Sequence, residues 1–191
     1  MAEPVAIRDA ATIVLVRRDG PEPRLLMGQR GAGAVFLPNK FVFPGGGVDP
    51  EDVAMAGAGH PEEALRLAAI RELWEETGLR LGPPDRPATG RLTLVFRAVT
   101  PPFRPRRFDA RFYLAAAEDL SGSPDDFSGA SGELLFLRWI DLPSARKLEL
   151  PFITEVVLAE IAARLGDPGA AHPVPFFDQT ERGSHFRMLD A

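Results

Sequence analysis

Apolar residues fall into short runs separated by turn-forming stretches, and the spacing within each run predicts its element. AATIVLVRR (10–18) and RLLMGQR (24–30) read as two strands, with the turn-rich DGPEP (19–23) between them. GAGAVFLPNK (31–40) reads as a loop, and FVF (41–43) as a short strand running into PGGG (44–47). The small, acidic VDPEDVAMAGAGH (48–60) reads as an inserted loop. RLTLVFRAVT (91–100), RFDARFYLAAA (107–117) and ELLFLRWIDL (133–142) read as further strands, and ITEVVLAEIAARLG (153–166) as an amphipathic helix. DPGAAHPVPFFDQTERGSHFRMLDA is a weakly patterned tail. Mixed strands around two helices predict an α/β (α+β) sandwich with a mixed β-sheet. We expect one domain over 1–170, with 171–191 packed on it or at a dimer interface.

The clearest helix is PEEALRLAAIRELWEETG (61–78). Pro61 suits a first turn, Glu62 and Glu63 complement its positive end, and Gly78 suits the stop. With Glu72 at 0° and about 100° per residue, Ile70, Leu73, Trp74 and Leu67 fall at about 100–220°, an apolar face. Glu72, Glu75 and Glu76 fall at about 0°, 300° and 40°, on the other side. Like charges at i, i+4 destabilise a helix by roughly 0.2–0.5 kcal/mol. Anions in its last turn are disfavoured by roughly 0.3–1 kcal/mol. Arg71 is the only cation in that turn. A solvated face is one reading of these acids; the other is a site for a divalent cation, which would reverse the sign of the repulsion.

Composition narrows the chemistry. The chain has 191 residues, 45% of them hydrophobic and 26% charged, as in an ordinary globular protein. It contains no cysteine, so disulfides and thiolate chemistry are excluded. The start has no basic segment followed by an apolar one and no run is long enough to span a membrane, so a cytoplasmic protein without a membrane partner is expected. A net charge of -5 argues against nucleic acid as a partner. PGGG lacks the GK[ST] of a phosphate-binding loop. Residues 80–111 nevertheless hold eight arginines against Asp85 and Asp109. Most suit a solvated hairpin; Arg104, Arg106 and Arg107, on a proline-stiffened loop, are the candidates for phosphate contacts.

Residues 57–79, GAGHPEEALRLAAIRELWEETGL, resemble the Nudix box, G-x5-E-x7-R-E-U-x-E-E-x-G-U with U apolar. Gly57, Glu63, Arg71, Glu72, Leu73, Glu75, Glu76, Gly78 and Leu79 match all nine specified positions. The resemblance implies a Nudix α/β/α sandwich that hydrolyses a nucleoside diphosphate linked to another moiety, with Mg²⁺ or Mn²⁺ as cofactor. It implies Glu75 and Glu76 as metal ligands, Glu72 as a further metal ligand or the group activating water, and Arg71 as the residue orienting the carboxylates. Glu63 would support the site. The alternative is a module of the same fold that binds a nucleotide without cleaving it.

In the usual pattern the first glycine of the box is the second of PGG, here Gly46, which lies 17 residues before Glu63 instead of six. Gly57 has the expected spacing, but the strand FVFP delivers Gly45 or Gly46, and we expect the ligating carbonyl there, with Gly46 as the choice. Glu133 is the candidate base from a later loop, ahead of Asp125 and Asp126. Of the motif that precedes the box in the coenzyme A subgroup, this chain keeps Arg30 and FPGG but has Val35 and Asn39 at two other specified positions. Arg30 is therefore a candidate substrate contact. The stretch SQPWPFPxS of the NADH subgroup is absent. The expected partner is a small ADP-ribose-, CoA- or dinucleotide-like molecule, and a homodimer is a further expectation.

Overall fold

The computed structural model describes residues 5–83, 85–180 and 182–189. In chain order the strands and helices begin β1 (Ile7–Arg17), β2 (Arg24–Arg30), β3 (Phe41–Val42), β4 (Gly45–Gly47), α1 (Pro50–Ala56) and α2 (Pro61–Thr77). They continue β5 (Arg80–Leu81), β6 (Thr93–Val99), β7 (Arg107–Ala116), β8 (Leu120–Ser121) and β9 (Leu134–Asp141). The last are α3 (Leu142–Ala145), α4 (Phe152–Gly166), β10 (Val174–Thr180) and β11 (Gly183–Leu189).

The main sheet runs β11-β10-β6-β7-β1-β2-β3, with β4 also on β1 and β9 also on β2; β5 and β8 form a small separate pair. It is mixed: β1 runs parallel to β7 and β10 parallel to β6, and the other pairs are antiparallel. β1 is central and buried on both faces. Val14 and Val16 join a core with Val157, Leu158 and Ile161 of α4. Ala11, Ile13 and Leu15 join the opposite core with Leu65, Ala68, Ala69 and Leu73 of α2. This period-2 division of one apolar strand builds the three layers.

The free edge of β1 is shared. Val16 and Arg17 pair with β2, whereas Ala10, Ala11 and Thr12 pair with Gly47, Gly46 and Gly45 of β4. The glycine run thus lies beside β1 on the side that α2 covers. Ala68 and Ala69, fully buried, let α2 approach closely. Gly78 ends α2 at φ 78°, its N–H donating to the Trp74 carbonyl at 2.7 Å, as a left-handed stop requires.

Three sequence expectations are corrected. Residues 48–60 are not a plain loop: Pro50–Ala56 form α1, started by Asp49 and stopped by Gly57 at φ 84°. Trp74, placed by the helical wheel on the apolar face, is 42% exposed and lies under the Arg80 guanidinium, 4.4 Å from the ring centre. The face actually buried is carried by Leu65, Leu67, Ala68, Ala69, Ile70 and Leu73, and Trp74 sits at its border. The weakly patterned tail holds two strands. β10 pairs with β6 through Phe176↔Arg97 and Phe177↔Ala98, and β11 pairs back on β10. Parallel pairing with a strand some eighty residues upstream leaves no local signature.

Candidate active site

Three segments meet at the C-terminal half of α2: the β4 glycines, α1, and the approach to β9. Arg71 is the node. Its Nη1 donates to Glu72 Oε1 at 2.9 Å and to Glu75 Oε2 at 3.0 Å. Its Nη2 donates to the Gly47 carbonyl at 2.9 Å and to Asp52 Oδ2 at 3.0 Å, and its Nε to Asp52 Oδ1 at 3.1 Å. A planar guanidinium can span three carboxylates and a carbonyl in this way; an ammonium cannot.

Glu76 is the most buried acid of the turn, 2% exposed. Its Oε2 accepts the Gly45 N–H at 2.8 Å. Its Oε1 has no hydrogen-bond partner, and Arg30 Nη1 lies 3.9 Å away. Burial pushes its carboxyl up to about 8; the Gly45 N–H opposes the shift, and the nearby Glu72 and Glu133 add to it. Burial raises Glu72 as well, with Arg71 pulling the other way. A Cβ on Gly46 would overlap the Glu72 carboxylate, so glycine is required for this approach.

The ladder also sorts the glycine carbonyls. Ile13 N–H bonds to Pro44 O and Val48 N–H to Asp9 O. The pair Ala11↔Gly46 lies midway between these, in phase with them. The polar groups of Gly46 therefore face β1, while the Gly45 N–H and the Gly47 carbonyl face α2. The expected carbonyl of Gly46 is thus turned from the acids, and that of Gly45 takes the α2 side. Gly57, the other candidate, closes α1, its N–H donating to the Val53 carbonyl at 3.1 Å.

Glu133 is brought in by a pinned loop and a bulge. The Ser131 N–H donates to the Glu75 carbonyl at 2.9 Å, tying the loop to the end of α2. Between Met27 and Gln29 the β2–β9 register slips, with Phe136 at φ 52° in the longer strand. Arg30 and Glu133 consequently meet, Nη2 to Oε1, at 2.9 Å. The weaker base candidates are tied elsewhere, Asp125 to Arg17 and Asp126 to the Ser128 N–H.

The remaining candidates separate. Glu63 accepts from Thr89 Oγ1 at 2.8 Å, away from Arg71. Arg106 lines an open concavity of about 430 Å³ with Arg30, Val35, Phe36 and Glu133. Arg107 donates to the Thr100 carbonyl and faces a larger concavity beside Phe176 and Arg187. Arg104 is exposed. Asp52, 4% exposed, is the site residue that sequence reading passed over. The spelling D-P-E-D, a capping acid, a first-turn proline and a third-position acid, marks a helix start at Asp49.

The donor set suits a hard divalent cation. It consists of carboxylate oxygens, one of them buried and unpartnered, next to a backbone carbonyl. Among the described residues no three His, Asp or Glu side chains converge in ligating geometry as they stand; Arg71 cross-links Glu72 and Glu75.

Residues 6–161 match the NUDIX domain family. Nudix hydrolase 7 of Caenorhabditis elegans is 43% identical over 72 residues, a stretch that spans 38% of this chain and 22% of that relative's length. The crystal structure of a NUDIX hydrolase from Alicyclobacillus acidocaldarius superposes with a TM-score of 0.67 at 28% identity, covering 88% of this chain and 98% of that one. An Ap4A hydrolase from C. elegans, crystallised as a binary complex, shares the fold at 22% identity and a TM-score of 0.52, over 83% of this chain and 98% of its own. With the family match spanning most of its length and the mixed sheet packed between helices as in these structures, the chain belongs to the Nudix family.

Proposed function

We propose that the protein hydrolyses the diphosphate bond of a nucleoside diphosphate linked to another moiety, with Mg²⁺ or Mn²⁺ bound by Glu72, Glu75 and Glu76 and the Gly45 carbonyl. The observation that carries this reading is Glu76: a buried carboxylate with one oxygen unpartnered, beside a second half-buried acid. An isolated carboxylate so placed is held protonated at neutral pH, and a cation is what lets it ionise.

The chain's own groups supply the rest. Arg71 holds Glu72 and Glu75 in register. The Gly45 N–H fixes one oxygen of Glu76, and the other is buried without a hydrogen-bond partner. Arg30 and Arg106, which line the concavity, suit the phosphates, and Val35 and Phe36 suit the uncharged part of the substrate. Glu72, or Glu133 held by Arg30, accepts the proton of the attacking water. A metal ion bound there would offset the charge of the diphosphate and acidify a bound water.

The test is a panel of ADP-ribose, coenzyme A, NADH and dinucleoside polyphosphates, with Mg²⁺ or Mn²⁺, against native protein and Glu76→Gln. Native protein is expected to release phosphate-terminated products from at least one compound, and the variant none. Full activity in Glu76→Gln removes that residue from the site. No turnover of any compound by a native protein that still binds them favours a non-cleaving binding module.

A further inference from the structure

We propose that Asp52, carried by the helix inserted ahead of α2, is the acid that positions Arg71 and, through it, Glu72 and Glu75. The inference rests on the metal-dependent reading above and deepens it.

Arg71 has to be held from outside α2, because its partners within the helix, Glu72 and Glu75, are the groups it orients. Among the described residues two side chains outside α2 pair with it. Asp52 takes both sides of the guanidinium, Nε to Oδ1 at 3.1 Å and Nη2 to Oδ2 at 3.0 Å; Asp49 stands at 3.8 Å. Asp52 is itself fixed: its Oδ2 accepts the Asp49 N–H at 2.9 Å, and it is buried within the first turn of α1. Paired and bidentate, such a contact has a fixed orientation that a single surface ion pair lacks.

Spacing supports the same assignment. Gly46 precedes Asp52 by six residues, as Gly57 precedes Glu63. Of these two glycine–acid pairs, Gly46 touches Glu72 and Asp52 holds Arg71. Gly57 merely closes α1, and Glu63 bonds Thr89. The box is therefore discontinuous: its glycine and first acid lie at 46 and 52, its remaining residues at 71–79, and the inserted chain runs between.

The charge arrangement has a consequence for metal binding. Asp52 neutralises Arg71, so the guanidinium can orient Glu72 and Glu75 without claiming them outright. Removing that negative charge leaves Glu72 and Glu75 as the closest carboxylates to Arg71, with Asp49 at 3.8 Å, so the guanidinium draws harder on the oxygens a metal would use and competes with it.

Mn²⁺ binding to the chelator-treated full chain, followed by electron paramagnetic resonance, tests this. Asp52→Asn is expected to weaken Mn²⁺ binding about 10–100-fold, as loss of a ligand-orienting partner does. Glu63→Gln is expected to leave it at the native value. In an Arg71→Ala background, Asp52→Asn should add nothing, and with an accepted substrate it should lower kcat more than it raises KM. If Asp52→Asn does not fold, Arg71→Lys is measured instead and is expected to lose Mn²⁺ affinity, since an ammonium cannot span these partners. Native-level binding in Asp52→Asn or Arg71→Lys, or an equal loss in Glu63→Gln, overturns the inference. If native protein binds Mn²⁺ and Glu76→Gln does not, while Asp52→Asn binds normally, this inference alone fails. If native protein does not bind Mn²⁺, the metal-dependent reading fails and takes this one with it.

Discussion

Glu76 carries a burial cost that the proposed cation would offset. Burial, which disfavours the charged form, pushes its folded carboxyl up to about 8 from an ordinary value of 4.5. A carboxyl raised on folding contributes stability that is complete below its unfolded value and is lost as pH rises toward the folded one. Without metal, the native protein should therefore lose stability relative to Glu76→Gln as pH rises from about 5 to about 8. Thermal melting of both in chelator across that range measures the difference, and a gap that does not widen with pH removes the burial argument. Added Mn²⁺ should narrow the gap by stabilising native protein only, since a ligand that binds the folded state alone raises the melting temperature.

The elements differ in how far local spacing revealed them. The acidic turn of α2 was legible because its message lies within five residues, 72 to 76, on one helix face. α1 was locally marked too, by Asp49 and Pro50, but its small, glycine-rich context resembles a loop. Its contribution to the site depends on pairing Asp52 with Arg71, 19 residues on, and that pairing exists only after α1 folds back on α2. The glycine question was legible only as a choice between Gly45, Gly46 and Gly57; the ladder phase between Asp9 and Ile13 decides which carbonyl faces α2. The β10–β11 hairpin was not legible at all, because its partner β6 lies far upstream. Phe176 anchors it, 3% exposed, with the Arg97 and Arg187 guanidinium groups 4.4 and 4.6 Å from its ring centre. Phe176→Ala should cost roughly 3–5 kcal/mol, as large-to-small core changes do. Chemical denaturation checks this, and a loss under about 1 kcal/mol would show that the hairpin packs without its anchor.

At the scale of the molecule, β1 organises everything else. One face of it meets α2 and the other α4, and its free edge passes from β2 to the glycine strand. Backbone groups of β4 are thereby presented to α2 on the same rigid sheet that fixes the helix. The site is thus braced by the core on one side and by α1 on the other, and the loops it borrows, before β9 and after β2, are tied down at Ser131 and Arg30.

The turn from Gly57 to His60 joins two helices that are each secured independently, α1 by Asp52 on Arg71 and α2 by its apolar face on β1. A Cβ on Gly57 would meet only His60, at 3.9 Å, and one on Gly59 would meet nothing within 4 Å; both glycines take the positive φ of an open turn. The covalent link between the two halves of the box therefore carries almost no information about the site, which makes it a natural place to splice in foreign sequence. A flexible segment grafted after Gly59 should be tolerated, since each doubling of loop length costs only about 0.6 kcal/mol. Such a graft should keep the native Mn²⁺ affinity, and a fluorescent or affinity module carried there would report on the site without entering it. Loss of Mn²⁺ binding in a graft that still melts cooperatively would show that the turn is structurally coupled to the acids after all.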